Sequence, residues 1–104
     1  MDLKWGFGTA LRAIRKQKEL SQEDFSEVSG RTYMSALERG VYSPTIDKLD
    51  AIASVLGVHP VTLLAVCYLS AAPSAAPQEL LLQVREELLE LGYGRFDIEG
   101  KPPA

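Results

Sequence analysis

The apolar positions in the first 70 residues recur at helical spacing. Phe7, Leu11 and Ile14 are separated by four and three residues, so they share one face of a helix that ends near Lys18. Further periodic segments predict four more short helices, over residues 21–28, 32–39, 45–56 and from 60 onward. No alternation typical of a strand is found, so this part of the chain is predicted to be all-α.

Capping residues mark the ends of these predicted helices. Ser21, with Asp24 three residues later, is close to a capping box, which satisfies backbone N–H groups at a helix start. Gly40 falls where a helix commonly ends in the left-handed conformation. Thr45 is predicted to cap the fourth helix, and His59, directly before a proline, is more typical of a cap than of a metal ligand.

Composition divides the chain into three segments. Residues 1–69 hold the five predicted helices, and residues 70–77 form an Ala/Pro/Ser linker. Residues 78–104 contain a sixth predicted helix over 78–91, followed by a tail rich in glycine and proline. The predicted architecture is therefore a five-helix domain with an additional C-terminal helix.

The sixth helix carries an apolar seam. Its members repeat at spacings of three, four and three residues: Leu81, Val84, Leu88 and Leu91. About one and a half heptads are fewer than a free-standing coiled coil needs, so the seam is expected to dock on another surface. In the tail, Phe96 and Ile98 are expected to pair locally, and residues 101–104 are expected to be disordered.

Charge is distributed unevenly along the chain. Residues 1–69 hold eight basic and eight acidic side chains, whereas residues 70–104 hold three and six, so the net charge of −3 belongs to the C-terminal third. This balance argues against a protein that coats polyanions with its whole surface, but it leaves room for a local basic face.

The sequence offers no set of residues for catalysis or metal binding. The single cysteine, Cys67, excludes an internal disulfide, and with His59 as the only histidine a metal site or a Cys–His catalytic pair is not expected. No nucleophile, base and orienting group occur together. We therefore expect no enzyme activity, no metal and no cofactor.

One uncharged stretch of the chain is as long as a membrane span. Residues 51–78 contain no Asp, Glu, Lys or Arg, but Gly57 and Pro60 interrupt them and leave an apolar run of twelve residues, 61–72. A span needs about 20 residues, so this run is predicted to be core or interface. The N-terminus carries an acid and soon turns polar, which is not typical of a secretory signal.

Four short motifs occur in a characteristic order: L-S-Q-E at 20–23, L-E-R-G at 37–40, S-P-T at 43–45 and L-G-V at 56–58. Through them the chain resembles, over residues 7–66, the helix-turn-helix family of phage repressors and Cro proteins, often called the XRE family. The resemblance implies a five-helix lambda-repressor-like DNA-binding domain, in which the second and third helices form the DNA-reading motif.

The resemblance also implies which residues read DNA. The third helix would enter the major groove, where its N-terminal residues reach base edges. In this chain those residues are Arg31, Thr32 and Tyr33, with Ala36 one turn later. Arginine can donate two hydrogen bonds to guanine, and alanine can make an apolar contact with a thymine methyl. Arg31 is the preferred candidate for base readout, with a phosphate contact as the alternative.

Gln22 resembles the family glutamine that binds the DNA backbone, and the N-terminus of the second helix would add N–H groups aimed at a phosphate. Its alternative role is that of an ordinary surface residue. Further phosphate contacts are expected from Lys16, Lys18, Ser35 and Arg39, although Lys18 equally suits a solvated helix end.

Two features concern the orientation of the third predicted helix, the one that would read the DNA. Arg15 and Glu38 match an ion pair between the first and third helices of the family, so they are assigned to positioning rather than to base contact. The chain is also two residues shorter than the family between L-S-Q-E and L-E-R-G, around residues 28–31. Either the second helix ends early or the turn is tighter, with Gly30 in an unusual backbone conformation.

The fifth predicted helix is more apolar than a five-helix core requires. Together with the seam of the sixth helix, it predicts a two-fold dimer interface formed by Leu64, Tyr68, Leu81, Val84, Leu88 and Leu91. The alternative is that the sixth helix folds back on its own domain. A dimer of this motif reads an inverted repeat in double-stranded DNA.

The sequence therefore predicts a cytoplasmic, sequence-specific DNA-binding transcriptional regulator of bacterial or phage origin, a repressor rather than an activator, that binds a palindromic operator as a homodimer. The alternative is a protein-interaction adaptor or antitoxin-type module whose acidic C-terminal helix binds a partner protein.

Overall fold

A computed structural model of the chain describes residues 1–94, and all regular structure in this range is helical. The helices are α1 (Leu3–Gln17), a short 3₁₀ helix (Gln22–Phe25), α2 (Arg31–Glu38), α3 (Ile46–Leu56), α4 (Pro60–Ala71) and α5 (Pro77–Glu90). The predicted all-α fold class is confirmed. The expectations for Phe96, Ile98 and residues 101–104 lie outside the described residues.

The described residues form two compact units, 1–74 and 75–94. In the first unit, α1 packs against both α2 and α4. Its apolar stripe is buried as predicted, with Phe7, Leu11 and Ile14 between 0% and 8% exposed. Phe25 is fully buried in the same core, and burying a side chain of this size contributes about 2 kcal/mol.

Two glycines let α1 lie close to its neighbours. A Cβ atom at Gly8 would stand 2.5 Å from the carbonyl oxygen of Leu37 in α2, and one at Gly6 would stand 2.5 Å from the carbonyl oxygen of Cys67 in α4. Contacts this short with backbone atoms cannot be relieved by a side-chain rotation. The absence of side chains at these positions therefore sets how near the C-terminal end of α2 lies to α1.

The segment predicted as the second helix differs from expectation. Instead of a helix over 21–28, it is a 3₁₀ helix of four residues that ends at Phe25, followed by turns. The predicted capping interaction is present, since the Ser21 N–H donates to Asp24 Oδ2 at 2.7 Å. Gly30 has φ −69° and ψ 155°, an ordinary extended conformation. The early helix end is therefore right, and the unusual glycine conformation is wrong.

The other predicted helix ends are confirmed. Gly40 and Gly57 have φ of +73° and +74°, in the left-handed region where glycine avoids the strain of a Cβ. Thr45 Oγ1 accepts a hydrogen bond from the backbone N–H of Lys48 at 3.1 Å. His59 Nδ1 likewise accepts from the N–H of Val61 at 3.0 Å, so His59 acts as a helix cap.

The α4 helix is only partly covered within its own unit. It buries Leu63 and Cys67, and burial raises the pKa of the Cys67 thiol, which favours its neutral form. On its other side Val61, Leu64 and Tyr68 are 59%, 41% and 39% exposed. This outer side is therefore apolar and accessible.

The α5 helix of the second unit buries none of its residues. The first and last residues of its apolar seam, Leu81 and Leu91, are 60% and 71% exposed, although the seam has the spacing of a helix-packing face.

Across residues 1–94 no single helix is long and apolar enough to span a membrane. The α3 and α4 helices reach that length and composition only together, as a pair bent by 100°.

Candidate nucleic-acid interface

The N-terminal turn of α2 presents polar side chains to solvent. Arg31 and Thr32 are its first two residues, follow the extended Gly30 directly, and are exposed. Ser35 and Arg39 lie four and eight residues after Arg31, so they share its side of the helix. This side of α2 therefore carries two arginines and a serine hydroxyl.

Two residues predicted to contact bases are placed differently. Ala36 is only 4% exposed, which leaves little of its methyl group accessible for the predicted contact with a thymine methyl. The reason is the rotation of α2 about its axis, which directs Met34 and Leu37 into the core and covers the adjoining flank, where Ala36 lies. Tyr33 is half-buried and packs against the hydrophobic core, so only part of its side chain is accessible to a ligand.

The C-terminal end of α2 is held by a buried ion pair. Arg15 Nε and Nη2 donate to the two carboxylate oxygens of Glu38 at 2.6 and 3.0 Å, and Arg15 Nη1 donates to the carbonyl of Leu20 at 2.8 Å. The two side chains are 12% and 6% exposed. Hydrogen bonding to Glu38 raises the pKa of Arg15, and burial opposes this only in part. The pair thus connects α1, the following loop and α2.

Gln22 joins this cluster from the 3₁₀ helix. Its Nε2 donates to Glu38 Oε1 at 3.2 Å, and the side chain is half-buried. A primary amide has two N–H groups, so one remains for an external acceptor such as a phosphate. A 3₁₀ helix of four residues supplies little helix dipole, because the dipole grows by summing aligned peptides. The expected backbone contact therefore depends on the side chain of Gln22.

Basic side chains border the exposed face of α2. A shallow groove of about 200 Å³ is lined by Arg12, Gln22, Ser35 and Arg39, among others, and a second of about 510 Å³ includes Trp5, Lys16 and Arg39. Of the predicted phosphate-binding residues, all but Lys18 line one of these grooves; Lys18 is the exposed C-cap of α1.

Arg12 lies in both grooves and was not among the residues predicted to bind DNA. Its position one turn before Lys16 was a signal that could have identified it.

Two further residues near α2, Tyr42 and Lys48, could not be placed there from the sequence. The Tyr33 and Tyr42 rings stack with centroids 6.0 Å apart at an interplanar angle of 17°. The Lys48 ammonium lies 5.9 Å from the centroid of the Tyr33 ring and donates a hydrogen bond to the carbonyl of Val28. These residues are distant in sequence, so only the folded chain brings them together.

The residues predicted for the dimer interface lie in two separate places. Leu64 and Tyr68 line an apolar groove of about 230 Å³ in the first unit, together with Leu3, Ile46 and Leu49. In the second unit, the groove of about 360 Å³ is lined by Leu81, Val84 and Leu88 with Tyr93, whereas Leu91 lies exposed beyond it. Within residues 1–94 no cluster of His, Cys, Asp or Glu has the arrangement of a metal site.

The region from α1 to α4 is similar to known helix-turn-helix proteins. A family model described as helix-turn-helix matches residues 11–63, about half of the chain. The immunity repressor protein of Bacillus phage phi105 is 36% identical over 54 residues, which cover 50% of this chain and 38% of that protein. The chain thus spans well under half of the phage protein.

Two other relatives are covered more completely. The HTH-type transcriptional regulator y4dJ of Sinorhizobium fredii is 38% identical over 65 residues, covering 61% of this chain and 84% of that protein. Control protein C.BamHI of Bacillus amyloliquefaciens is 41% identical over 61 residues, covering 56% and 75%. No solved structure matches the chain significantly. The three relatives are named as a repressor, a transcriptional regulator and a control protein, and the chain belongs to the XRE-type helix-turn-helix family of DNA-binding transcription regulators.

Proposed function

We propose that this protein is a sequence-specific transcriptional repressor that binds an inverted-repeat operator as a dimer. The observation that carries the proposal is the exposed N-terminal turn of α2, whose opposite end is held by the Arg15–Glu38 pair. A short helix with free polar residues at its N-terminus suits insertion into the major groove. The name of the phage relative favours repression over activation.

In this proposal each group of side chains has one task. Arg31 and Thr32 read base edges, because they are exposed and open the reading helix. Gln22, Lys16, Ser35 and Arg39 bind phosphates along the neighbouring grooves. Arg15 and Glu38 contact no DNA and fix the angle at which α2 leaves the domain.

Selection from a random duplex library tests this function. We expect the full chain to enrich an inverted repeat with half-sites about one helical turn apart. Its affinity for random duplex should be weak and should fall steeply with salt, because each neutralised phosphate releases counterions. Absence of both an enriched motif and salt-dependent binding would contradict DNA recognition.

The dimer is proposed to form through the apolar groove beside Leu64 and Tyr68, and sedimentation measures it directly. We expect a dimer at micromolar concentration, and we expect Leu64→Asp to give a folded monomer, because a half-exposed position tolerates the charge in the monomer but not in an apolar contact. Ile46→Val, a conservative change at an exposed residue that lines the same groove, is the control and should leave the dimer intact. A monomeric wild-type chain would contradict the dimer.

The alternative function, binding of a partner protein, rests on α5. This helix has no buried residue and carries Glu79, Glu86, Glu87 and Glu90 against a single arginine. Leu81→Asp combined with Leu88→Asp separates the roles. Loss of the dimer would show that the seam of α5 takes part in self-association. An unchanged dimer with unchanged operator affinity would favour a seam that binds a different protein.

A further inference from the structure

The reading helix is held at its N-terminal end by a second set of contacts, separate from the ion pair at its other end. Lys48 lies at the third position of α3, where the Thr45 cap fixes the first turn. From there its ammonium reaches both the carbonyl of Val28 and the ring of Tyr33. Lys48 therefore connects three parts of the chain: the turn before α2, α2 itself and the start of α3.

The shortened turn explains why this contact matters. Because the second helix stops at Phe25, the following turn supplies few backbone partners for its own carbonyls. The Phe25 carbonyl accepts from the N–H groups of Val28 and Ser29 at 2.9 and 2.8 Å, while the Val28 carbonyl is bound by Lys48. The Val28 carbonyl, just before α2, thus takes a hydrogen bond from a side chain of α3.

The aromatic contacts act on the same end of α2. An ammonium within about 6 Å of a ring centroid is attracted to the face of the ring, and Lys48 lies 5.9 Å from that of Tyr33. Tyr42, from the loop after α2, stacks on Tyr33. Tyr33 is only two residues after Arg31, so these contacts act close to the proposed base-reading residues.

We infer that Lys48 is a positioning residue for DNA readout, which sets where Arg31 and Thr32 stand in the groove without itself binding DNA. The inference rests on the proposed function. Its physical basis is that base discrimination requires donors placed within about 0.5 Å, whereas phosphate binding tolerates looser placement. Without the Lys48 contacts, the first turn of this eight-residue helix keeps its packing on the core and the stacking of Tyr42 on Tyr33, but loses its connection to α3 through Lys48.

The test compares Lys48→Met with the wild type on two duplexes: the one enriched by selection with the wild-type chain and a scrambled duplex of equal length and composition. Methionine keeps an unbranched apolar stem and removes the ammonium. We expect the ratio of the two affinities to fall on the order of tenfold, while affinity for the scrambled duplex and its salt dependence stay unchanged. Lys48→Arg should retain most of the ratio, because a guanidinium can also donate to a carbonyl and lie over a ring.

A matched variant separates this role from others. Lys4→Met removes the same charge from an exposed site on α1 and should leave the ratio unchanged. A lysine that only stabilised the fold would, on substitution, lower both affinities together and leave their ratio constant, and that result would overturn the inference.

Two other outcomes are decisive. If Lys48→Met weakens binding to both duplexes and reduces the slope of log affinity against log salt by about 0.9, Lys48 binds a phosphate and does not position α2. If the wild-type chain binds duplex with a clear motif but Lys48→Met keeps the full ratio, only the inference about Lys48 fails. If the wild-type chain enriches no motif, the proposed function itself fails.

Discussion

Replacing Glu38 with alanine is expected to lower the free energy of unfolding by about 3 kcal/mol, because removing one partner of a largely buried ion pair leaves the other charge without compensation. The Arg15 guanidinium would keep only the Leu20 carbonyl among its present acceptors. Urea unfolding followed by the fluorescence of Trp5, the only tryptophan and a residue of α1, measures the loss within the first unit.

Two controls define the cause of that loss. Glu27→Ala removes an exposed carboxylate and should change stability by less than about 0.5 kcal/mol. The double variant Arg15→Met with Glu38→Leu replaces the pair with apolar side chains and should recover most of the stability, since no lone charge remains. If Glu38→Ala unfolds at the wild-type urea concentration, the pair does not hold α2 in place.

Replacing Arg31 with alanine is expected to weaken binding to the selected duplex by about 1–3 kcal/mol and to relax the preference at one base position. The reason is that Arg31 is exposed at the first position of α2, where a fork of N–H donors can reach a guanine. Affinity for a scrambled duplex should fall much less. Titration of both duplexes at fixed salt, with a repeated selection, measures these effects.

Gln22→Ala provides the contrasting case. It removes the free amide N–H near the ion pair, so it should weaken all duplexes to a similar degree without changing the enriched motif. Arg85→Ala removes from α5 the same charge that Arg31→Ala removes from α2, so it controls for a general loss of positive potential. Unchanged motif and unchanged affinity in both Arg31→Ala and Gln22→Ala would show that the site has been placed on the wrong residues.

Local features of the fold were predictable because they arise within one or two helical turns. The spacing of Phe7, Leu11 and Ile14 identified the buried side of α1, and the caps at Thr45 and His59 are hydrogen bonds to backbone groups two or three residues away. The family was also predictable, since its motifs are short and follow a characteristic order.

The rotation and contacts of α2 were predicted less well, because they depend on residues that are distant in the sequence. The near-complete burial of Ala36 was not predicted, because a small apolar residue suits either side of a helix and the rotation of α2 is decided by its packing in the core. The contacts among Lys48, Val28, Tyr33 and Tyr42 had no sequence signal, since they join residues up to 20 positions apart.

The short helices could be predicted from the amino-acid sequence, because apolar periodicity and helix caps act over a few neighbouring residues, and four short motifs indicated the XRE family. The side chains of α2 that remain accessible, and the contacts that hold each end of that helix, follow from the folded chain. An eight-residue helix has few contacts of its own, so its rotation and position follow from α1, the preceding turn and α3, which fold against it from elsewhere in the chain.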